Sequence, residues 1–391
     1  MESRPSPLQP MLQNPERRHS ISNSIEQMFY TCPFEIKRDL SSVPPMEAKL
    51  SLQSMKFGAS FRPDSPQDVK QWVKTAEQLG YARAQIADSS AIYRELWVSV
   101  TVAAMSTNTV MTGPWVTNPI TRHPVVTASS AATVDELAPG RVSIGIATGD
   151  SAIYNLGRKA ATINDLKEYI LAVQELLERG TTEYKGRHVK LPWAKRHIPI
   201  YIAAHGSKSL FLAGEVGDGV IVGTGNSRDV VEQSLEVLDK GARSRGRTVN
   251  DLDIWWAAGY NALDDSEESE HPSGGHATAA HFLSRHTLEG KFIPDKYKAG
   301  IKKLGDSYDM TTHGKNVAEK QKYYQEIAEE SGVAGYLTER FGCFTGNVDH
   351  CMSKLKEMAD MGITQFTSSI PGPDRPGHLQ KWHDLIMSKI Q

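Results

Sequence analysis

Eight short apolar runs, separated by longer amphipathic stretches, recur from Lys56 to the end of the 391-residue chain, and this alternation constrains the fold more than any other feature. The runs are KFGASF (56–61), RAQIA (83–87), TVMTGPWV (109–116), VSIGIAT (142–148), IPIYIAA (198–204), DGVIVG (218–223), LDIWWAA (252–258) and ITQFTSS (363–369). Nearly continuous apolar strands are what a parallel sheet covered on both faces requires. The stretches between them read as helices: PQDVKQWVKTAEQLG has Pro66 near its start and Gly80 where a C-terminal stop belongs, and VDHCMSKLKEMADMG stops at Gly362. Eight strand–helix alternations predict an α/β protein, a closed (β/α)8 TIM barrel. An open doubly wound sheet would favour G-x-G-x-x-G after the first strand, but RPDSP follows KFGASF.

Length beyond a barrel of about 250 residues must lie in an N-terminal arm and in insertions. Residues 1–55 are rich in Pro, Ser and charge and read as an arm, either a flexible tail or a segment that wraps the body or a partner subunit through Ile25, Met28, Phe29, Tyr30 and Phe34. Residues 56–391 form the barrel, with a large insertion at about 261–346 between strands seven and eight that is expected to place helices over the mouth as a lid. With 44 basic and 46 acidic residues, the net charge of -2 offers no basic excess for phosphate backbones, so nucleic acid is not an expected partner. The three cysteines, Cys32, Cys343 and Cys351, are too few and too scattered for a disulfide framework or a zinc site, which fits a reducing compartment, the cytoplasm. No apolar run approaches the roughly 18 residues of a membrane helix, so no membrane partner is expected.

In such barrels the working residues lie at the C-terminal ends of strands. Here these are Ser60 and Phe61, Asp88 and Ser89, Trp115 to Asn118, Thr148-Gly149-Asp150, His205-Gly206-Ser207-Lys208, and Gly223-Thr224-Gly225. A small-residue turn opening a helix aims several amides and the positive helix end at one point, which suits a phosphate. The 205–208 turn adds a hydroxyl and an ammonium, and Gly223-Thr224 could close the other side. Glycines that merely make tight turns would leave the same pattern.

VTNPITRHPVVTASSAATVDELAPGRVSIGIATGD (116–150) and IPIYIAAHGSKSLFLAGEVGDGVIVG (198–223) resemble the luciferase-like superfamily of flavin and deazaflavin oxidoreductases. The T-N-P-x-T-R-H-P wording is most similar to the methylenetetrahydromethanopterin reductase branch, whose members use the deazaflavin coenzyme F420. The resemblance implies a redox ring held at the strand C-termini, with a non-prolyl cis peptide and bulge around Trp115 and Val116. It further implies that Asp88 lies near the reacting ring, that Asp150 is the acid of the family's G-x-G-D/E turn, and that 205–208 is its phosphate turn. Two departures stand out: Ser89 replaces the His that follows the acid in several deazaflavin alcohol dehydrogenases, and Ser207 replaces Pro.

Plainer roles compete at single residues. Asp88 and Asp150 could each cap a helix or turn. His123, held extended before Pro124, could reach a ring edge as a third catalytic group or simply pack at the surface. Asn118 could hydrogen-bond the ring's pyrimidine side or make an Asn-Pro turn. His271, His276, His281 and His286 recur every five residues, about 140° apart on a helix, so they do not share a face and no metal site is expected. The acidic run 264–270 lacks the ligand alternation of a calcium loop. Alternation should send one of Trp255 and Trp256 into the barrel and the other towards the helices.

The expected function is that of a flavin-dependent oxidoreductase, a monooxygenase using reduced FMN on a small organic substrate, with Ser60, Phe61 and Trp115 at the mouth. The alternative is F420-dependent hydride transfer to or from a carbonyl or imine, and a second is a non-catalytic flavin-binding barrel. A homo-oligomer and a separate flavin reductase are the expected protein partners.

Overall fold

The computed structural model describes residues 52–264, 274–309, 318–342 and 344–390, all within one compact unit that spans Glu47–Gln391. The arm expected at 1–55 lies almost wholly outside the described residues, as do Cys32, Cys343, His271 and most of the acidic run.

Strands form at Lys56–Phe61, Arg83–Ile86, Ile144–Ile146, Ile200–Ala204, Gly219–Val222, Asp253–Ala257 and Gln365–Ser369, each inside one of the apolar runs. All pair in parallel in one sheet. The remaining run, at 109–116, takes the third strand's place and hydrogen-bonds to both neighbours, with Ala84 N donating to Met111 O and Ser143 N to Thr112 O, but without a continuous ladder. It meets its neighbours through isolated bridges, Met111 and Pro114 to the second strand and Thr112 and Thr117 to the fourth. Pro114 has no amide to give a ladder, and the Trp115–Val116 peptide is cis. These bridges close the sheet into the (β/α)8 barrel.

Helices pack outside, and their ends follow local chemistry. Ser65 caps Pro66–Gln78 by accepting the Asp68 amide, and Thr162 and Asp165 form a capping box on Ile163–Arg179, which ends at Gly180 with φ 74°. An antiparallel hairpin, Thr181–Tyr184 with Arg187–Lys190, follows that helix where the sequence predicts no strands. The 261–346 insertion leaves and returns through a short parallel pair, Asn261–Leu263 with Thr345–Asn347. It carries the helices Gly274–Ser284, Asp295–Asp306, Ala318–Glu330 and Ala334–Phe341 around its own apolar cluster, which includes Leu283, Ile301, Leu304 and Leu337.

Trp255 points into the barrel beside Tyr201 and Ile221, with Trp115 and Val116 against them. Trp256 points outward and donates its indole N–H to Gly225 O at 2.9 Å. Phe61, expected as a wall of the mouth, instead faces outward and packs on Trp72 with ring centroids 5.8 Å apart, because its side of the strand faces the helix layer.

A polar network fills the N-terminal end of the barrel. Arg83 donates to Asp253 at 2.8 Å and to the Tyr201 hydroxyl, and its guanidinium lies 4.1 Å from the Tyr201 ring centroid and 4.5 Å from that of Trp255. Asp253 also accepts from Tyr201, Trp255 and Gln365, bonds that hold its carboxyl below the usual range against the burial that would raise it.

Candidate active site

The cis-bonded segment places Thr117 and Asn118 at the mouth, both almost fully buried. Its bulge needs Gly145 on the neighbouring strand: a Cβ there would stand 2.5 Å from Pro114 O and 2.9 Å from Val116 Cγ1. Asp88 does not cap the helix that follows, a role Glu95 fills by accepting the Val98 amide. Instead Asp88 Oδ2 accepts from Thr117 Oγ1 at 2.7 Å and from Arg122 Nη1 at 2.7 Å, with the carboxylate 1% exposed. Arg122 also reaches Glu95 at 2.7 Å. Ser89, next to this pair, has a buried hydroxyl without a hydrogen-bond partner among the described residues.

Asn118 makes the Asn-Pro turn, its Oδ1 accepting the amides of Ile120 and Thr121. Its Nδ2 is buried without a partner among the described residues, so turn and ring contact are compatible in one side chain. His123 is not brought to Asp88 or Asp150. Its ring is exposed, takes the Val125 amide at Nδ1 as a helix cap, and meets Tyr184 edge to face at 5.2 Å. Pro124 fixes the entry of that helix, and the imidazole follows the cap.

Asp150 lies in the turn opened by Thr148 and Gly149, where φ is +104°. It begins the short helix Ser151–Tyr154 but makes no side-chain cap bond there. Its Oδ1 instead faces the insertion, with His281 Nε2 at 3.4 Å and Arg285 Nη1 at 3.3 Å, while Arg285 Nη2 lies 3.4 Å from Thr148 Oγ1. His281 stacks on Tyr308 at 4.9 Å. Of the histidine array, His276 bonds Thr338 and His281 meets Asp150, as their separation around the helix requires. Among the described residues no group of His, Cys, Asp and Glu is placed to hold a metal.

At the fifth strand, Gly206 caps the helix Ser207–Val216. The His205 imidazole stacks on Phe282 at 4.8 Å and lies against Gly223, where a Cβ would stand 2.5 Å from Nε2. The two loops read as opposite sides of a phosphate site therefore touch. Burial, with the nearby Lys291 and Arg285 charges, pushes the His205 pKa down to about 3, so the ring is neutral. Thr224 is buried and bonds Ser234 at 2.9 Å. Lys208 is exposed, and the basic side chain lying over the turn is that of Lys291 from the insertion, whose Cδ would stand 3.1 Å from a Cβ on residue 206. Ser60 faces inward and is 2% exposed.

Sequence reasoning misses Arg122, His281, Arg285, Lys291 and Arg340. Arg122 stands in the same T-R-H-P wording that draws attention to His123, and that position was the available signal. The other four lie in the insertion, where His281 is noticed only as part of the histidine array and no motif marks Arg285, Lys291 or Arg340. Chemically, the mouth combines an oriented carboxylate, an unpaired amide donor, a neutral imidazole and a strongly cationic bend, which fits an anionic planar coenzyme.

The chain is similar to the 5,10-methylenetetrahydromethanopterin reductase of Methanolobus tindarius, 29% identical over 336 residues, covering 82% of this chain and 96% of that protein. It is also similar to an F420-dependent glucose-6-phosphate dehydrogenase of Beutenbergia cavernae, 31% identical over 222 residues, 51% of this chain and 65% of that one. Among solved structures, the coenzyme F420 dependent tetrahydromethanopterin reductase from Methanopyrus kandleri superposes with a TM-score of 0.65 at 23% identity, over 86% of this chain and 99% of that one. A barrel closed through a cis-bonded third strand agrees with a family match that runs over residues 40–365, and the chain belongs to the luciferase-like monooxygenase family.

Proposed function

We propose that this chain is a coenzyme F420-dependent oxidoreductase that moves a hydride between the deazaflavin and a carbonyl- or imine-type carbon of a small substrate. The observation that carries the reading is the nearly end-to-end similarity to a methylenetetrahydromethanopterin reductase. It reverses the order of preference drawn from the sequence, in which reduced FMN and oxygen came first.

When bound, the deazaflavin supplies a two-electron hydride carrier, and the protein supplies orientation and a dry site. Thr117 and Arg122 fix Asp88 through Oδ2, which leaves Oδ1, without a hydrogen-bond partner among the described residues, to hold or release a proton. Asn118 Nδ2 would donate to an acceptor on the ring edge, satisfying an otherwise orphaned group. Asp150, held by His281 and Arg285, ties the insertion to the rim and excludes water. The 205–208 and 223–224 loops would receive the phosphate.

The test is titration of the purified protein with F420 and with reduced FMN, with and without oxygen, followed by assays with a methylene-pterin and with glucose 6-phosphate. Micromolar F420 binding and hydride transfer without oxygen uptake are expected. Oxygen consumption with reduced FMN and no F420 binding would establish the second reading, a monooxygenase, which Ser89 in place of His favours.

A further inference from the structure

Lys291 is 8% exposed, and its ammonium donates to Phe282 O at 2.6 Å. It pairs with no carboxylate among the described residues. Burial, reinforced by Arg285 and Arg340, pushes its pKa down to about 7. A desolvated cation surrounded by like charges is unfavourable in the ligand-free protein, and an anion is what would offset it.

Its position names the anion. The Lys291 chain lies on Gly206, and the carbonyl of Gly290 accepts the Ser207 amide at 2.7 Å. Arg340, fully buried, holds this strap to the other loop by donating to Lys291 O at 2.7 Å, Phe292 O at 3.0 Å and Thr224 O at 2.7 Å. Two donors, the Ser207 amide of the bend and the ammonium of the Lys291 chain that lies over it, are thus satisfied by neutral carbonyls. A phosphate would replace both with charge-assisted bonds, which are roughly twice as strong.

We infer that Lys291, supplied by the insertion and not by a barrel loop, is the phosphate-binding ammonium of this site, and that its strap covers the 205–208 bend until the phosphate displaces the Gly290 carbonyl. The inference rests on the coenzyme reading above.

The experiment measures binding of F420 and of its phosphate-free deazaflavin analogue to full-length wild type, Lys291→Met, Lys291→Gln and Lys291→Arg, together with ligand-free melting temperatures. Lys291→Met and Lys291→Gln should lose about 10- to 100-fold in affinity for F420 and less than threefold for the phosphate-free form. Lys291→Arg should keep most of the affinity, and ligand-free Lys291→Met should melt no lower than wild type. Equal loss for both ligands in the folded variants, or no loss for either, overturns the inference while leaving the coenzyme reading intact. Failure of wild type to bind either ligand overturns both.

Discussion

Replacing Arg122 by methionine removes the charge that faces Asp88 while keeping much of the apolar stem. The Nη1–Oδ2 distance is 2.7 Å, and the two side chains are 12% and 1% exposed. Unit charges about 4 Å apart interact by about 4 kcal/mol at an effective dielectric of about 20, and a hydrogen bond to a charged group is worth about 1.5–3 kcal/mol. Among the described residues the carboxylate left behind keeps only the Thr117 hydroxyl, so Arg122→Met should lose about 3 kcal/mol of stability. Asp88→Asn should lose less, about 1–2 kcal/mol, because Arg122 retains Glu95, which is 45% exposed. The double variant should fall short of the sum by about 1.5–3 kcal/mol. Urea unfolding of the four proteins, followed by tryptophan fluorescence, measures this coupling. Additivity within about 0.5 kcal/mol would refute the pairing, and with it the reason for assigning Asp88 a fixed orientation.

Further perturbations test other links. Gly145→Ala places a methyl 2.5 Å from Pro114 O, so it should destabilise the protein by at least about 2 kcal/mol in thermal or urea melts and weaken coenzyme binding by shifting Thr117 and Asn118. His205 is held neutral with its pKa near 3, below the ordinary value of 6.5, so the unfolded chain takes up the proton first as pH falls. Its contribution is complete above about pH 6.5 and shrinks towards pH 3; at pH 5 it should be smaller by about 2 kcal/mol than at pH 7.5, and His205→Gln should flatten that part of the profile. Asp253→Asn leaves Arg83 buried without its counter-charge and should lower stability by about 2–4 kcal/mol, measured by urea unfolding, with little change in coenzyme affinity.

The barrel was readable in the sequence because seven of its strands are mostly buried on both faces and each sits within a short run bounded by turn residues. The third strand was readable as a run but not as a bridge-only segment, since Gly113-Pro114 announces distortion without specifying which hydrogen bonds survive. The Thr181–Lys190 hairpin was missed because its residues, TTEYKGRHVK, are polar and lean on a helix for stability. At the site, the loops after the strands were legible from topology alone, whereas their partners were not. Asp150 is adjacent in sequence to Gly149, but the residues that decide its environment, His281 and Arg285, lie more than a hundred positions away. Lys208 illustrates the same gap: its place in the turn suggested a phosphate contact, yet helix geometry turns it to solvent and Lys291 lies over the turn instead.

The Arg83–Asp253–Tyr201 assembly at the base of the barrel has a kinetic corollary. It fills the N-terminal end of the barrel, so the strand C-termini beside the insertion are the end at which ligands would enter and leave. A planar coenzyme lodged against Trp115 and Val116 would lie deeper than anything that follows it. On the proposed coenzyme reading its arrival would therefore precede that of the substrate, and its departure would follow, an ordered sequence that product-inhibition patterns would display.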